Sequence, residues 1–273
     1  MKNPFESKVA IVTGGASGIG HAVSEAMGKK GATVVVSDID TEGANNVAEG
    51  ILREGGKARA THLDVTSDED IKKLIEQTAR EHGRLDYMFN NAGIAIQGEV
   101  RDMDKEHWDR IININLLGAL HGTVAAYALM VEQGFGHIVN TASVLGLVSI
   151  PTNTLYVTTK HAIVGLSTSL RAEGAGLGVK VSVICPGFVQ TGLYDAATVQ
   201  KADNNEFYAQ IPIKRMDVTK AAQEILKGVK RNKAIIVFPF HARVMWWLHR
   251  IHPNAMDLMN REAIKGFRKI RRD

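Results

Sequence analysis

The feature that most restricts the fold is a short β-branched run that ends in a glycine-rich turn and leads directly into a helical pattern. Residues 8–13 (KVAIVT) predict a strand, residues 14–20 (GGASGIG) a tight turn, and apolar residues spaced as far as position 31 a helix. Glycines let the backbone approach a pyrophosphate closely, and the free amides at a helix start carry partial positive charge. The unit favours a phosphate-binding turn. Its Gly-x-x-x-Gly-x-Gly spacing differs from the commoner dinucleotide fingerprint, so a plain tight turn stands as the alternative.

A second strand pattern at residues 33–38 (TVVVSD) ends in Asp38, twenty positions after Gly18. In a strand–helix–strand unit, an acid at this place accepts hydrogen bonds from the hydroxyls of an adenosine ribose, and its charge repels a 2′-phosphate. Neither the glycine turn nor the residues directly after Asp38 include a Lys or Arg that would attract this phosphate. The pattern therefore favours NAD over NADP, with a turn-forming aspartate as the alternative.

Strand and helix patterns continue to alternate along the chain. Helices are predicted at residues 41–56 and 68–83, around residues 108–120 and around Tyr156, and strands at residues 58–63, 85–89, 137–141, 179–185 and 234–238. This alternation predicts an α/β fold of the Rossmann type, a doubly wound parallel sheet of about seven strands covered by helices on both faces. We expect one domain over residues 1–239 and a helical C-terminal extension over residues 240–273.

Polar or turn residues follow six of the predicted strands. They are the glycine turn, Asp38, Asp64, Asn90, Ser143 and Pro186. Ligands of open parallel sheets bind beyond the carboxyl ends of the strands, which all lie at one edge. The sequence therefore predicts a binding site at this edge.

Tyr156 and Lys160 are four residues apart, so a helix projects both from one face, and Ser143 precedes Tyr156 by thirteen positions at the end of a predicted strand. A phenol with a reference pKa of about 10 is a poor base near neutrality unless a nearby cation favours its anion. The three residues form a candidate acid–base device. The alternative is a half-buried aromatic, a solvated charge and a turn residue.

In this order and spacing, the motifs resemble those of the short-chain dehydrogenase/reductase family over residues 8–239. They are TGGASGIG at 13–20, Asp38, Asp64 with Val65, NNAG at 90–93, INLLG with Asn115, Ser143, YVTTK at 156–160 and PGFVQT at 186–191. The resemblance implies an NAD-dependent enzyme that moves a hydride between NAD(H) and a secondary alcohol or ketone.

The resemblance also implies a role for each site residue. Tyr156 would be the general acid/base, Lys160 would lower the pKa of Tyr156 and hold the nicotinamide ribose, Ser143 would bind the substrate oxygen, and Asn115 would help to hold a relay water. The cofactor residues would be Gly14, Ser17, Gly18, Ile19 and Gly20 at the pyrophosphate, Asp38 at the adenosine ribose, Asp64 and Val65 at the adenine, Asn90 at the adenosine half, Tyr156 and Lys160 at the nicotinamide end, and Val189 and Thr191 at the carboxamide. No metal is implied, since His121, His137 and His161 have no carboxylate partner at ligand-like spacing.

Composition narrows the function classes. The net charge is +4, and the residues from Arg261 onward, six basic and two acidic, account for all of it. A nucleic-acid binder spreads such charge over a groove-sized surface, so we expect no nucleic-acid partner. The single cysteine, Cys185, lies in a strand pattern and fits a reducing compartment, and no signal or spanning segment is evident. We expect a cytoplasmic protein.

Two further segments bear on the substrate and partners. Residues 191–214 occupy the place of the family's substrate lid, where Tyr194, Phe207 and Tyr208 pack either on a substrate or on the body. With Leu145, Leu147 and Phe188 they suggest an apolar pocket for a steroid-, retinoid- or lipid-like substrate.

The tail predicts a helix capped by Asn254, with an apolar stripe and a basic face. The stripe comprises Met256, Met259, Ala263, Phe267 and Ile270, and the basic face comprises Arg261, Lys265, Arg268 and Arg272. This helix caps its own domain or a sister subunit, lies on an anionic membrane with Trp246 and Trp247 as anchors, or binds another protein.

Alternatives to the leading function remain. An NADPH-dependent carbonyl reductase would contradict the interpretation of Asp38, and a non-catalytic nucleotide-sensing scaffold would not need Tyr156 and Lys160. By resemblance we also expect a homo-oligomer, a dimer or a homotetramer.

Overall fold

The computed structural model describes residues 3–211 and 213–272. Seven parallel strands form one sheet in the order β3-β2-β1-β4-β6-β7-β9, and two short strands, β5 and β8, form a separate pair. The strands are β1 (Val9–Thr13), β2 (Thr33–Asp38), β3 (Lys57–His62), β4 (Tyr87–Asn90), β5 (Ile96–Gln97), β6 (Gly136–Thr141), β7 (Val179–Pro186), β8 (Thr198–Val199) and β9 (Ile235–Phe238). The predicted α/β class and the sheet of about seven strands are confirmed.

Ten α-helices occur in the described chain. They are α1 (Gly18–Gly28), α2 (Thr41–Arg53), α3 (Asp68–His82), α4 (Lys105–Ile112), α5 (Gly118–Gln133), α6 (Thr154–Gly174), α7 (Asn204–Ala209), α8 (Val218–Lys230), α9 (Phe240–Ile251) and α10 (Asp257–Ile270). Helices α1, α2 and α8 pack on one face of the sheet, while α3, α5 and α6 pack on the other. The central strands therefore carry apolar side chains on both faces, which explains their β-branched runs.

The strand order reverses its direction between β1 and β4. The chain builds outward from β1 through β2 to β3, and then returns to β4 on the other side of β1. A crevice opens at the carboxyl ends of the strands where such a reversal occurs, and it is the usual ligand site of open α/β sheets.

The long helical region around Trp108 is two helices joined by a π-helical turn, Asn113–Leu117. By length and composition alone, the continuous stretch Lys105–Gln133 is apolar enough to cross a membrane, although no spanning segment was expected from the sequence. Its residues Ala126 and Met130 are fully buried against the sheet strands. The inner side of the stretch thus covers the sheet, and this packing explains part of its apolar composition.

The C-terminal extension differs from the expectation in detail. Helix α9 follows Pro239 directly, and α10 begins at Asp257, so Asn254 lies in a preceding 3₁₀ turn and does not cap the helix. Of the predicted apolar stripe, Met256 and Phe267 are buried, whereas Met259 is exposed. Tertiary contacts, which periodicity alone does not specify, select the buried face of α10.

Candidate active site

The glycine turn wraps the start of α1 at the carboxyl end of β1. Gly14 has a φ of 63°, and a Cβ on it would lie 2.8 Å from the Cα atom of Ala92, so the turn and the NNAG segment approach more closely than another residue allows. Ser17 precedes α1 in an extended conformation, and its side chain makes no capping hydrogen bond. The first amides of α1, at Gly18, Ile19 and Gly20, therefore begin the helix without that side-chain acceptor, which suits an anionic ligand.

Asp38 ends β2 beside this turn. One carboxylate oxygen, Oδ2, accepts a hydrogen bond from the Ala16 amide at 3.0 Å, and the other, Oδ1, accepts one from the Asp40 amide at 3.0 Å. The side chain is half-buried and faces the loop, where a ribose diol would meet a fixed acceptor.

Asn91 and Thr13 tie the ends of β4 and β1 together. The Asn91 side-chain amide donates to the carbonyl oxygens of Thr13 and Gly14 at 3.2 Å, and the Thr13 hydroxyl accepts from the amides of Asn91 and Ala92. Neither residue was predicted as a site residue from the sequence, although both lie within the TGGASGIG and NNAG motifs. Their hydrogen bonds fix the floor of the crevice.

The Asn90 side chain does not point to this crevice. Its amide donates to the hydroxyl of Thr123 at 3.1 Å and to the Asn140 side chain at 2.8 Å, and the residue is buried. The alternation of the strand turns this side chain into the layer between β4 and α5, so the predicted contact of Asn90 with the adenosine half of a cofactor would involve its backbone.

Asp64 and Val65 lie after β3, toward the adenine side of the crevice. Asp64 accepts hydrogen bonds from the amide and hydroxyl of Thr66, which shape the turn before α3. Val65 is buried, and its carbonyl oxygen is 3.3 Å from Nδ1 of His121. Both residues are held in place by local contacts and remain at the strand edge.

Lys160 and Tyr156 project from the first turns of α6 toward the ends of β6 and β7. The Lys160 ammonium donates to the Thr141 carbonyl oxygen at 3.0 Å and lies 5.4 Å from the centre of the Tyr156 ring. The Ser143 hydroxyl, almost fully buried, accepts from the Leu145 amide at 3.1 Å and lies 3.5 Å from the Pro186 carbonyl oxygen. A hydroxyl, a phenol and an ammonium from two elements thus meet at one place.

Burial dominates the titration of this group. It raises the pKa of the Tyr156 phenol above its ordinary value, Tyr194 adds to the effect, and the Ser143 hydroxyl opposes it. Burial lowers the pKa of the Lys160 ammonium to about 8. Desolvation is the largest influence on the Tyr156 pKa, and the effect of Lys160 on that pKa stays a prediction.

Asn115 lies in the π-helical turn, and both polar groups of its side chain form hydrogen bonds with the backbone of Ile94. Its amide nitrogen donates to the Ile94 carbonyl oxygen at 2.9 Å, and its Oδ1 accepts from the Ile94 amide at 2.8 Å. A Cβ on Gly93 would lie 3.1 Å from this Oδ1 and 3.5 Å from the Lys160 nitrogen, so Asn115 and Lys160 are neighbours. The widened turn brings Asn115 to the site, as π-turns at functional sites commonly do.

Val189 and Thr191 follow β7 and close the crevice. The Val189 amide donates to the hydroxyl of Tyr194 at 3.3 Å. A Cβ on Gly18, whose φ is 54°, would lie 3.2 Å from the Thr191 Cβ, which sets Thr191 directly against the glycine turn. The residues predicted for the pyrophosphate and for the carboxamide are therefore in contact.

The lid contains β8 and α7 and is attached at both sides of the crevice. The Tyr208 hydroxyl donates to Oε1 of Gln97 at 2.6 Å, and the Gln97 amide donates to Asn153 at 3.1 Å. Phe207 packs on Phe267 of α10, with ring centres 5.9 Å apart. Of the three predicted aromatic residues, Phe207 joins the lid to the body, whereas Tyr194 and Tyr208 are near enough to Tyr156 to raise its pKa.

The residues at this edge fit a nicotinamide dinucleotide. Free helix-start amides suit its pyrophosphate, an acceptor without a neighbouring basic residue suits its adenosine ribose, and a buried ammonium and a phenol stand at the other end. Two further residues at the site were not predicted from the sequence. Thr141 contributes a backbone carbonyl, and Gln97 belongs to a two-residue strand that has no periodic signal.

Comparison with known proteins agrees with this geometry. A family model described as short chain dehydrogenase matches residues 8–202. A cyclohexanol dehydrogenase from Acinetobacter sp. is 37% identical over 240 residues, which cover 87% of this chain and 93% of that protein. A 2-(S)-hydroxypropyl-CoM dehydrogenase 3 from Xanthobacter autotrophicus is 40% identical over 194 residues, covering 71% of this chain and 76% of that protein.

A solved structure is similar over most of the chain. The short chain dehydrogenase/reductase from Burkholderia phymatum in complex with NAD superimposes with a TM-score of 0.84 at 27% sequence identity, and the match covers 94% of this chain and 96% of that one.

Proposed function

Because the chain belongs to the short-chain dehydrogenase family, we propose that it interconverts a secondary alcohol and a ketone with NAD(H), using Tyr156 as the general acid/base. The observation that carries the proposal is the convergence of Ser143, Tyr156 and Lys160 at the carboxyl edge of the sheet, beside the glycine turn. A bound nicotinamide would supply the hydride acceptor or donor.

Each of the three side chains has a distinct task in this proposal. Tyr156 removes the proton from the substrate alcohol, or returns it to the ketone oxygen. Ser143 holds that oxygen through its hydroxyl. Lys160, whose pKa is about 8, is protonated at lower pH and so stabilises a phenolate nearby. Asn115, through its hold on Ile94, positions the segment next to Lys160 and a relay water.

The proposed cofactor contacts extend along the strand ends. The amides of Gly18, Ile19 and Gly20 bind the pyrophosphate, with Gly14 and Ser17 shaping the turn, while Asp64 and Val65 border the adenine. Asp38 binds the adenosine ribose and disfavours a 2′-phosphate, which supports NAD over NADP. The Val189 amide and Thr191 bind the carboxamide. The hydrogen bond that the Val189 amide now donates to the Tyr194 hydroxyl must break for this contact to form.

The substrate is proposed to be an apolar alcohol or ketone of steroid-, retinoid- or lipid-like type. Phe188 and Tyr194 stack with ring centres 6.1 Å apart, and Tyr194 and Tyr208 meet edge to face at 5.0 Å. Tyr194 and Tyr208 lie near enough to Tyr156 to raise its pKa, which supports an aromatic environment beside the phenol. The similarity to a cyclohexanol dehydrogenase supports a cyclic or branched alcohol.

Replacing the phenol tests this proposal. We expect Tyr156→Phe to keep NAD binding, measured by titration calorimetry, and to lower turnover of secondary alcohols roughly 10²- to 10⁴-fold, measured by NADH absorbance, because the proton acceptor is lost. Tyr127→Phe, on α5, is the matched control and should turn over normally. Parental turnover by the Tyr156 variant would refute the assignment.

We further propose that the protein is a cytoplasmic homo-oligomer. Support for association comes from α5, whose outward-facing Val124 is 59% exposed on a helix that has few charged residues. An exposed apolar helix face of this kind is a common interface between subunits.

A further inference from the structure

Helix α9 presents its apolar side to solvent. Phe240, Trp247 and Ile251 are 77%, 61% and 62% exposed, and Val244 and Leu248 on the same side are exposed as well. At 3.6 residues per turn, these five side chains fall within about 100° of the helix circumference. The opposite side, with Ala242 and Met245, packs on the body. A surface helix normally has the reverse arrangement, so this face lacks a partner within the described chain.

An open pocket lies beside this face, between α9 and the edge strand β9. Its volume is about 430 Å³, and its walls are mainly apolar, from Ile235, Val237, Val244, Trp246 and Trp247. Lys233 and Arg243 also line it. Apolar walls together with two cationic side chains suit an amphiphile that has an acyl chain and an anionic head.

The charged residues of α9 itself are all basic. The segment Phe240–Ile251 contains Arg243 and Arg250 and no Asp or Glu. Arg243 pairs with Glu224 of α8 at 3.1 Å. Arg250 lies over the Trp246 ring at 5.3 Å, and neither Arg250 nor Lys233 has a carboxylate partner among residues 3–211 and 213–272. Two cations therefore flank the apolar face without compensation.

Helix α10, in contrast, has already used much of its basic charge. Arg268 pairs with Glu99 at 2.6 Å, Arg271 with Asp102 at 2.7 Å, and Arg272 with Glu206 at 3.1 Å. These contacts fasten α10 to the body and the lid. The capping role expected from the sequence belongs to α10, and the unpartnered amphipathic face belongs to α9.

We propose that the outer face of α9 docks on an anionic lipid bilayer, with Phe240, Trp247 and Ile251 among the acyl chains and Arg250 and Lys233 at the headgroups. Such a helix, with aromatic and aliphatic residues between cations, has the composition of an interfacial membrane anchor. The indole of Trp247, on the exposed face, is of the amphipathic kind that is favoured at a membrane–water interface.

The size and charge of the face argue against a second copy of the chain as its occupant. The five exposed side chains offer on the order of 500 Å², less than the roughly 800 Å² per partner of a standard protein interface. In a two-fold dimer through this face, moreover, each α9 would pack on the α9 of the other copy, so the arginines of each helix would find no carboxylate on its partner. Lipid phosphates supply the missing counter-charges.

Docking through α9 would bring the bilayer close to the substrate end of the crevice. A Cβ on Gly187, after β7, would lie 3.0 Å from the Ala242 Cβ on the inner side of α9. The segment from Gly187 to Thr191 then leads to the lid. An apolar substrate would have a short path from lipid to the site, but the docking itself does not depend on the proposed reaction.

Vesicle co-sedimentation of the full chain tests the proposal. We expect binding to vesicles that contain phosphatidylglycerol, little binding to pure phosphatidylcholine, and weakening by salt. Phe240→Ser/Trp247→Ser should lower the partition coefficient at least about tenfold, since two large apolar side chains are lost. Leu52→Ser/Leu177→Ser, which removes two exposed apolar side chains elsewhere, should bind like the parent.

A charge arm separates lipid binding from plain hydrophobic adhesion. Arg250→Glu should remove the preference for phosphatidylglycerol, whereas Arg53→Glu on α2 should not, and thermal unfolding midpoints verify that each variant is folded. Equal binding by parent and Phe240→Ser/Trp247→Ser would overturn the proposal. A parent that ignores vesicles, with a serine variant that sediments as a smaller species, would identify the face as a contact between copies and would also overturn it.

Discussion

At the scale of single residues, the chemistry of the site depends on how burial acts on two ionisable groups. Desolvation raises the pKa of Tyr156 and lowers the pKa of Lys160 to about 8, so both groups are pushed toward their neutral forms in the protein without cofactor. Near pH 7 Lys160 keeps its proton and Tyr156 is a neutral phenol. An oxidised nicotinamide, which is cationic, would favour the phenolate that the proposed reaction needs.

The buried ammonium predicts a pH dependence of stability. The folded pKa of about 8 lies below the ordinary 10.5, so between these pH values the unfolded chain holds a proton that the folded protein has released, and stability rises with pH. Relative to Lys160→Met, we expect the parent to gain on the order of 3 kcal/mol of unfolding free energy across this window. Urea titrations of both proteins at several pH values measure the difference.

The comparison with Lys160→Met isolates this one group. Burial also raises the pKa of the Cys185 thiol, which makes stability fall as pH rises, and Lys160 itself acts on that pKa, so both proteins are compared with Cys185→Ala in place. A difference between the two proteins that stays constant from pH 8 to pH 10.5 would show that Lys160 is not desolvated as described.

Asp38 predicts cofactor selection. Without its carboxylate, the adenosine ribose loses charge-assisted hydrogen bonds and a 2′-phosphate loses a repelling charge. We expect Asp38→Ala to weaken NAD binding roughly tenfold or more and to narrow or reverse the preference over NADP, measured by calorimetry with both cofactors. Glu42→Ala removes a nearby exposed charge on α2 and should leave the ratio unchanged. Tighter NADP than NAD binding by the parent would favour an NADPH-dependent reductase instead.

At the scale of elements, α10 connects the lid to the body. Phe267 is buried against Phe207 of α7, and the Arg272 amide donates to the Lys201 carbonyl oxygen at 2.6 Å. Arg271 grips Asp102 through two hydrogen bonds, and the Gln210 amide reaches the Gly266 carbonyl oxygen. The order of the lid therefore depends on a helix that lies more than forty residues later in the chain.

This dependence predicts the effect of loosening α10. Phe267→Ala removes a fully buried ring, a change that typically costs about 3–5 kcal/mol of local packing, and should free α7 from the body. We expect faster amide hydrogen exchange in residues 204–209 and a raised KM with little change in kcat. Exchange measured by mass spectrometry should be unaltered in β6. Leu258→Ala, on the exposed side of α10, serves as the control; unchanged exchange in α7 of the Phe267 variant would contradict the coupling.

At the scale of the whole molecule, two apolar surfaces are not covered by the described chain. One is the outer face of α9, and the other is the outward side of α5, where small residues surround Val124. The two lie on different elements and are assigned to different occupants, a lipid surface and a sister subunit. A homo-oligomer can bind to a membrane through several copies of α9 at once, which raises the avidity.

The subunit assignment predicts the outcome of a single charge substitution. Val124→Glu should shift the protein to a smaller species in sedimentation velocity, because a carboxylate would be buried without a partner at the interface. Val100→Glu places the same charge on another exposed apolar position, and that variant should retain the parental mass. If the parent itself sediments as a monomer, the expectation of a dimer or tetramer is wrong.

The sequence by itself determined the layered α/β fold and most of the polar strand ends. Strand and helix periods are local properties, and the βαβ unit has one favoured handedness, so residues 8–38 already define how the crevice begins. The Tyr156 to Lys160 spacing likewise follows from the pitch of one helix. Local signals of this kind needed no knowledge of distant contacts.

Only the tertiary structure decided the direction of Asn90, the partners of α10 and the exposed face of α9. Asn90 follows a predicted strand at the ligand-binding edge, but in the structure its side chain donates to Thr123 of α5 in the interior. Arg268 and Arg272 belong to the basic face predicted from the sequence, but in the structure they pair with Glu99 and Glu206. Helix α9 has apolar residues on both its packed side and its exposed side, and only the packing of Ala242 and Met245 on the body shows which side faces solvent. The reason is that these outcomes depend on which residues meet across long separations in the chain, and periodicity carries no information about such pairs.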